Sequence, residues 1–310
     1  MYKLLKLNDF RQFKDMDISL GKRLTVLAGR NSTGKSTILG ILANSGELKK
    51  KDGTTYADGQ FRAEFSEIFH GSKKYDASGS DRIQIDIVDE NDDQIDYRKF
   101  RTAWQNDNGK DRFRVIPLKM LEDGKKTEAK MQIPVIYLGL SRLFPIGEAN
   151  EDKITTKKIK FIDDEQKQWF VEQYTQILSL YDTVTDVSNY SIGETDKKKG
   201  VGIETDKHDY LTNSSGQDNL GQILMAILSF KRLKKQREEW TGGLLLIDEI
   251  DATLHPAAQK RLIDLLTKEA KVNDIQVVVT THSSDLLKHI CNKTVHNNIN
   301  KNNPVELYYF

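Results

Sequence analysis

The chain has 310 residues, enough to bury the core of one large α/β domain or of two lobes sharing a surface. Its 47 Lys+Arg balance 46 Asp+Glu to a formal charge of +1, so net charge makes no case for a nucleic-acid partner. The single cysteine, Cys291, excludes an intramolecular disulfide, no Cys/His cluster has zinc-ligand spacing, and no run approaches the roughly 20 apolar residues of a membrane span, which together suit a soluble cytoplasmic protein with no membrane partner.

Residues 1 to 28 alternate polar and apolar positions without the apolar stretch of a signal peptide, and predict two strands with a turn at Gly21, the second over Leu24–Ala28. Gly29-Arg30-Asn31-Ser32-Thr33-Gly34-Lys35-Ser36 follows directly, and after it a helix with Ile38, Leu39, Ile41 and Leu42 on its buried side. From about residue 80 to 138, alternating segments such as Arg82–Val88 and Phe113–Leu118, separated by Asn/Asp/Gly turns, predict an inserted antiparallel sheet. Asp163 to about Tyr181 has helical spacing through Trp169, Phe170, Tyr174, Ile177 and Leu178. The polar, Gly- and Lys-rich stretch 185–210 reads as a loop or flexible cover. A second helix through Leu220, Ile223, Leu224, Ile227, Phe230 and Leu233 follows a cap at Asn213–Gln217. Two almost wholly apolar runs, Leu244–Ile247 and Ile275–Val279, flank a further helix and predict central strands of a parallel sheet covered on both faces. Pro304–Phe310 reads as a strand rather than a frayed tail, compatible with a longer natural chain.

Strand, glycine loop and helix in that order predict a P-loop. Its glycines let the backbone wrap phosphate oxygens, a lysine reaches the terminal phosphates, and a hydroxyl ligates magnesium. Gly29, Asn31, Ser32, Thr33, Gly34, Lys35, Ser36 and Thr37 fill these places for ATP and Mg2+. Leu244–Glu249 has the form of a Walker B element: Asp248 would hold magnesium, and Glu249 would polarise the attacking water as general base. His282 lies just past the next apolar run, placed either to meet the γ-phosphate or to cap the helix that starts near Ser283. The lysine runs Lys197-Lys198-Lys199, Lys231-Arg232 and Lys234-Lys235 read as solvated faces, with DNA contact as the alternative.

The order of these motifs resembles the ABC-type ATPase heads shared by transporters, SMC proteins, RecF and the OLD-like nuclease ATPases. Asn8-Asp9-Phe10-Arg11-Gln12-Phe13 looks like the opening element of the RecF and SMC branch, and Ser214-Ser215-Gly216-Gln217 is similar to the ABC signature with its first glycine replaced by Ser215. The resemblance implies an α/β P-loop NTPase of ABC-type head, with a mixed central sheet, an antiparallel β subdomain and a helical lobe. It divides one continuous head into 1–142, a P-loop lobe with the β insertion; 143–235, the helical lobe with the signature; and 236–310, the Walker B and H-loop part. It also implies that Ser214, Gly216 and Gln217 act in trans on the γ-phosphate held by a second copy, so that ATP joins a homodimer or a higher oligomer. The alternative for these residues is an ordinary helix cap.

His255-Pro256, in Ile250–Pro256, is similar to the "LHP" of OLD-like and stand-alone AAA ATPases of bacterial defence, and Val135–Pro145 resembles a segment of the ATPase subunit of Septu anti-phage systems, including those attached to retrons. No clear Q-loop glutamine is visible there. Arg142 stands in that region, either as a phosphate or dimer contact or as a salt-bridged surface arginine. The lobe between Leu143 and Leu211 is short and lacks heptads, which excludes the long coiled coil of SMC proteins. No nuclease motif is evident either. The implied function is an ATPase that dimerises around ATP to control a partner nuclease, of HNH type, in anti-phage defence. The alternatives are a RecF/SMC-like DNA-repair ATPase and an ATP-locked scaffold with negligible hydrolysis; a transporter subunit fits least.

Overall fold

In the computed structural model, which describes residues 1–89, 91–193, 199–297 and 304–310, the chain opens on three strands where its alternation suggested two: β1 (Tyr2–Phe10), β2 (Phe13–Ser19) and β3 (Leu24–Ala28). The register of β1 with β2 pairs Phe10 with Phe13, so Arg11 and Gln12 are the whole turn. Arg11 adopts φ +55° there without a glycine or an Asn-Gly pair, which is why the turn left no mark in the sequence.

Next come α1 (Lys35–Ala43), the short α2 (Phe65–Ile68), β4 (Gly79–Val88), β5 (Gln94–Asp107), β6 (Lys110–Met120), β7 (Lys126–Thr127) and β8 (Val135–Leu138). The region beyond holds β9 (Ile154–Lys158), α3 (Asp164–Leu178), β10 (Val184–Ile192), β11 (Lys199–Thr205) and α4 (Ser215–Gln236). β12 (Gly243–Ile247), α5 (Pro256–Asn273), β13 (Ile275–Thr281), α6 (Ser284–Asn297) and β14 (Val305–Tyr309) complete the order. No described helix is long and apolar enough to cross a membrane.

Five parallel strands in the order β14-β3-β13-β12-β8 form the central sheet. Alternate residues of β12 serve opposite faces: Leu245 and Ile247 pack with α4 and α5, whereas Leu244 and Leu246 pack with α1 and the antiparallel sheet. Each such buried leucine or isoleucine contributes about 1.5–3 kcal/mol relative to exposure. β8, expected among the antiparallel strands, instead pairs Val135 with Leu244 in this sheet. The reason is legible: Val135 and Ile136 are consecutive apolar residues that are both buried, the mark of a strand covered on two sides.

The antiparallel strands form a second sheet, β2-β1-β4-β5-β6-β7, into which the N-terminal hairpin is recruited. Leu5, Leu7, Ile83, Ile85 and Phe100 join Ile38, Leu39, Ile41 and Leu42 of α1 in one core. A third sheet, β11-β10-β9, replaces the loop expected over 185–210. It escapes a composition-based reading because its apolar residues are few and divided between its two faces: Val187, Val201 and Ile203 join the main core, Tyr190 and Ile192 a smaller cluster with Ile146, and Ser, Asn and Gly lie between them. The lobe expected to be helical thus carries α3, α4 and this sheet; Lys197 and Lys198 fall outside the described residues. α3 stops at Leu178 because Ser179 turns left-handed at φ +54°, leaving Tyr181 outside the helix and exposed.

Candidate functional site

β3, β13 and β12 are neighbours and parallel, so their C-terminal ends share one edge of the sheet and deliver Gly29, His282 and Asp248 to the same side. The loop from β3 to α1 is held from two directions. Phe310, just past β14, accepts from the Arg30 amide at 3.4 Å, and the β1–β2 turn presses on Gly34, where a Cβ would lie 2.0 Å from Gln12 Nε2 and 2.3 Å from the Phe13 ring. Gly34 has φ +90°, so the position excludes side chains on conformational grounds as well.

Helix α1 has Gly34 as its N-cap and no side-chain cap, which leaves its first-turn amides and positive dipole end to an anion. The loop fits a phosphate chain on that ground. Asn31 and Ser32 stand exposed at its crest, Thr33 donates to the Arg30 carbonyl at 2.9 Å, and Thr37 is buried in the helix start. The buried Lys35 ammonium donates to the carbonyls of Gly29 and Arg30 at 3.1 and 2.6 Å. Burial lowers its pKa, against the opposing pull of Glu249, Asp248 and Asp251.

Asp248 is only 4% exposed, and one of its oxygens, Oδ1, accepts from the Ser36 hydroxyl at 3.1 Å and from the Thr280 hydroxyl at 2.6 Å. Among the described residues no group of three or more His, Cys, Asp and Glu could hold a metal ion. One hydroxyl and one carboxylate are the donor set of a magnesium ion that takes its other ligands from water and substrate phosphates, so Ser36 and Asp248 fit that ion and would hold it. Thr280 escaped the sequence reading, although a threonine directly after the apolar run Val277–Val279, two residues before His282, was a signal.

Glu249 leaves β12 in the left-handed region, φ +48°, with its amide donating to Thr280 Oγ1 at 2.7 Å. Its Oε1 lies 3.8 Å from His282 Nε2, and the His282 amide donates to Asp251 Oδ1 at 3.3 Å. Glu249 and His282 are therefore neighbours at the sheet edge that also carries the loop. A carboxylate there can take a proton from water, and the imidazole can donate to an oxygen beside it.

Ser214, Gly216 and Gln217 lie elsewhere. Ser214 is the N-cap of α4 in a complete capping box: its hydroxyl accepts from the Gln217 amide at 3.3 Å, and Gln217 Oε1 accepts from the Ser214 amide at 2.8 Å. Gly216 abuts the segment after Glu249, where a Cβ would sit 2.6 Å from the Thr253 carbonyl oxygen. With Thr253, His255 and Arg261 these residues line a cavity of about 380 Å³ to which no P-loop residue contributes.

A family model described as the AAA ATPase domain matches residues 1–201 and 94–287. The chain belongs to this family. Over 46 residues it is also 44% identical to an uncharacterized protein, MJECL11, of Methanocaldococcus jannaschii, a match that takes in 15% of this chain and 40% of that protein. The chain thus spans less than half the length of that relative. Among solved structures, the SMC head domain of Thermotoga maritima is similar with a TM-score of 0.45 and 15% identity, over 93% of this chain and 91% of that one. The Smc head domain of Pyrococcus furiosus bound to the C-terminal domain of ScpA gives 0.47 and 16% over the same shares. The recombination mediator protein RecF of the RecFOR pathway gives 0.44 and 12%, over 92% of this chain and 93% of that one. None of these likenesses carries an activity across. The fold class expected from the sequence, an α/β P-loop NTPase with parallel and antiparallel strands, is that of this AAA ATPase domain.

Arg142 of the AAA ATPase domain is neither a surface arginine nor an exposed phosphate contact. It is 3% exposed, and its guanidinium donates to Asn219 Oδ1 at 2.7 Å and to the carbonyls of Leu138, Gly139 and Glu249 at 3.1, 3.0 and 3.0 Å. Burial lowers its pKa to about 10, which leaves it charged at neutral pH. The lysines after the signature are also engaged within the domain. Lys231 lies 3.9 Å over the Trp169 ring and pairs with the buried Glu269 at 3.0 Å, Lys234 pairs with Asp274, and Lys235 pairs with Asp163 at 3.0 Å. Lys199 donates to the Ala57 carbonyl at 3.0 Å. Lys231 is thus covered within the domain, whereas Lys234 and Lys235 stay at the solvated surface beside acidic partners.

Proposed function

We propose that this AAA ATPase domain binds ATP with magnesium at the β3–α1 loop and hydrolyses it with Glu249 as general base, closing head to head on a second copy whose Ser214, Gly216 and Gln217 complete the site. One observation carries the reading: Ser36, Asp248, Thr280 and Glu249 converge in one hydrogen-bonded chain at the mouth of an uncapped helix. Magnesium, when bound, neutralises the charge of the terminal phosphates. Lys35 exchanges the Gly29 and Arg30 carbonyls for phosphate oxygens. Glu249 orients the attacking water and accepts its proton, while His282 donates to a γ-phosphate oxygen. The test is ATP turnover by the full chain beside its Glu249→Gln variant, with bound nucleotide measured separately. Equal turnover would remove Glu249 as the base.

Downstream, the domain controls a partner nuclease of HNH type in the anti-phage defence of a bacterial cytoplasm. His255-Pro256 and the Septu-like segment Val135–Pro145 support this, and nuclease activity of a co-expressed partner with and without ATP checks it. A DNA-repair role is the second reading. It is favoured by the packing of Gln12 and Phe13 on Gly34, which makes the RecF-like opening element part of the nucleotide loop. Stimulation of turnover by double-stranded DNA without any partner would select it.

A further inference from the structure

The N-terminal part of α4 is tied to the segment that carries Glu249 by four contacts inside one chain. Gly216 packs on the Thr253 carbonyl, Asn219 Nδ2 donates to the Ala252 carbonyl at 3.0 Å and approaches Thr253 Oγ1 at 3.3 Å, and Asn219 Oδ1 accepts from Arg142, which in turn donates to the Glu249 carbonyl. The tied segment is bracketed by two non-glycine residues in the left-handed region, Glu249 at φ +48° and Thr253 at φ +63°. Such residues persist only where their surroundings over-determine them, at a cost on the order of 1–3 kcal/mol each. Here Thr280 holds the amide of Glu249 and Arg142 holds its carbonyl, so both sides of that residue are fixed.

Asp218, one residue before Asn219, faces the other way. It accepts from the Tyr190 hydroxyl at 2.6 Å and from the Val201 amide at 2.8 Å, fastening the same turn to the third sheet. The turn that begins with Ser214 is therefore fastened on both sides, and Asn219 is its link to the Glu249 segment.

We infer that Arg142 and Asn219 are positioning residues that couple the placement of Glu249 in one copy to engagement of that copy's Ser214–Gln217 turn by the nucleotide of its partner. The inference rests on the head-to-head reading proposed above. In a lone head these ties are set by the chain's own contacts alone. In a paired head, phosphate contact at the Ser214 turn adds a further constraint that reaches the Glu249 carbonyl through Asn219 and Arg142. Hydrolysis in each site then depends on the opposite site being filled, without any residue of the relay touching nucleotide.

The test uses the full chain carrying Asn219→Ala or Arg142→Lys. Affinity for a fluorescent ATP analogue is expected to stay within roughly twofold, and ATP-driven dimers are expected still to form on a Glu249→Gln background. kcat is expected to fall roughly 10- to 100-fold, the usual effect of losing a group that orients a reactive side chain. Hydrogen exchange supplies the readout that plain structural damage would not give. ATP slows exchange of the 249–254 amides in the unmodified dimer, and that slowing is lost in Asn219→Ala although the dimer persists. Unchanged turnover and unchanged protection in Asn219→Ala overturn the coupling, as does a fall in nucleotide affinity parallel to the fall in kcat. Should Arg142→Lys not fold, Asn219→Ala still decides. Full turnover by a monomeric Ser214→Arg chain instead overturns the head-to-head reading itself, and the coupling with it.

Discussion

Two helices of this protein begin where a phosphate could meet them, and they are finished in opposite ways. α1 starts at Gly34 with no side-chain cap, whereas α4 starts at Ser214 with both halves of a capping box in place. The first is incomplete by itself and gains from any anion. The second has spent its cap on itself, so a phosphate there competes with a contact worth about 1 kcal/mol. On the proposed reading, affinity for nucleotide resides in the P-loop, and the signature adds mainly the distinction between a paired head and a lone one.

The largest blow to that contrast is Lys35→Ala, expected to weaken ATP binding on the order of 100-fold by removing a charge-assisted donor, as read by calorimetry. Unaltered affinity would mean that the phosphates are held elsewhere. Glu249→Gln should leave affinity near normal while turnover falls about 10²–10⁴-fold and ATP-bound dimers accumulate in light scattering. Ser214→Arg separates the two helix starts most cleanly: single-head binding is expected to stay within about twofold while the ATP-induced dimer disappears from sedimentation profiles. Persistence of the dimer would restrict the α4 turn to capping. Gln217→Ala is the gentlest probe, opening one half of the capping box for a loss of about 0.5–1 kcal/mol, seen as a fall of roughly 2 °C in melting temperature. A much larger loss would show that the turn is held by its cap rather than by its ties to Thr253 and Ala252.

The P-loop end was readable because its requirements are local. Gly34 must turn left-handed, Lys35 and Ser36 must follow it, and an apolar strand must precede it, all within one stretch of chain. Asp248 was readable because β12 is apolar on both faces and carboxylates follow it directly. The rest depended on partners distant in sequence. Nothing near Arg142 announces that Asn219 and the Glu249 carbonyl enclose it, so a buried tie looked like a surface residue. The third sheet was missed for a related reason: β10 and β11 divide a few apolar residues between two separate clusters, and their average composition is that of a loop.

One feature of the central sheet sets an order in time. β3, which leads into the nucleotide loop, lies between β13 and β14, both from the far end of the chain, and the Phe310 carbonyl accepts from Arg30 inside the loop. Pairings between segments so distant in sequence form late, because closing the intervening chain must precede any gain from the contact. On the ribosome, the loop would emerge well before β13 and β14 and wait for both before its walls exist. A chain cut before β13 and β14 would then have a P-loop in sequence without the walls that hold it in place.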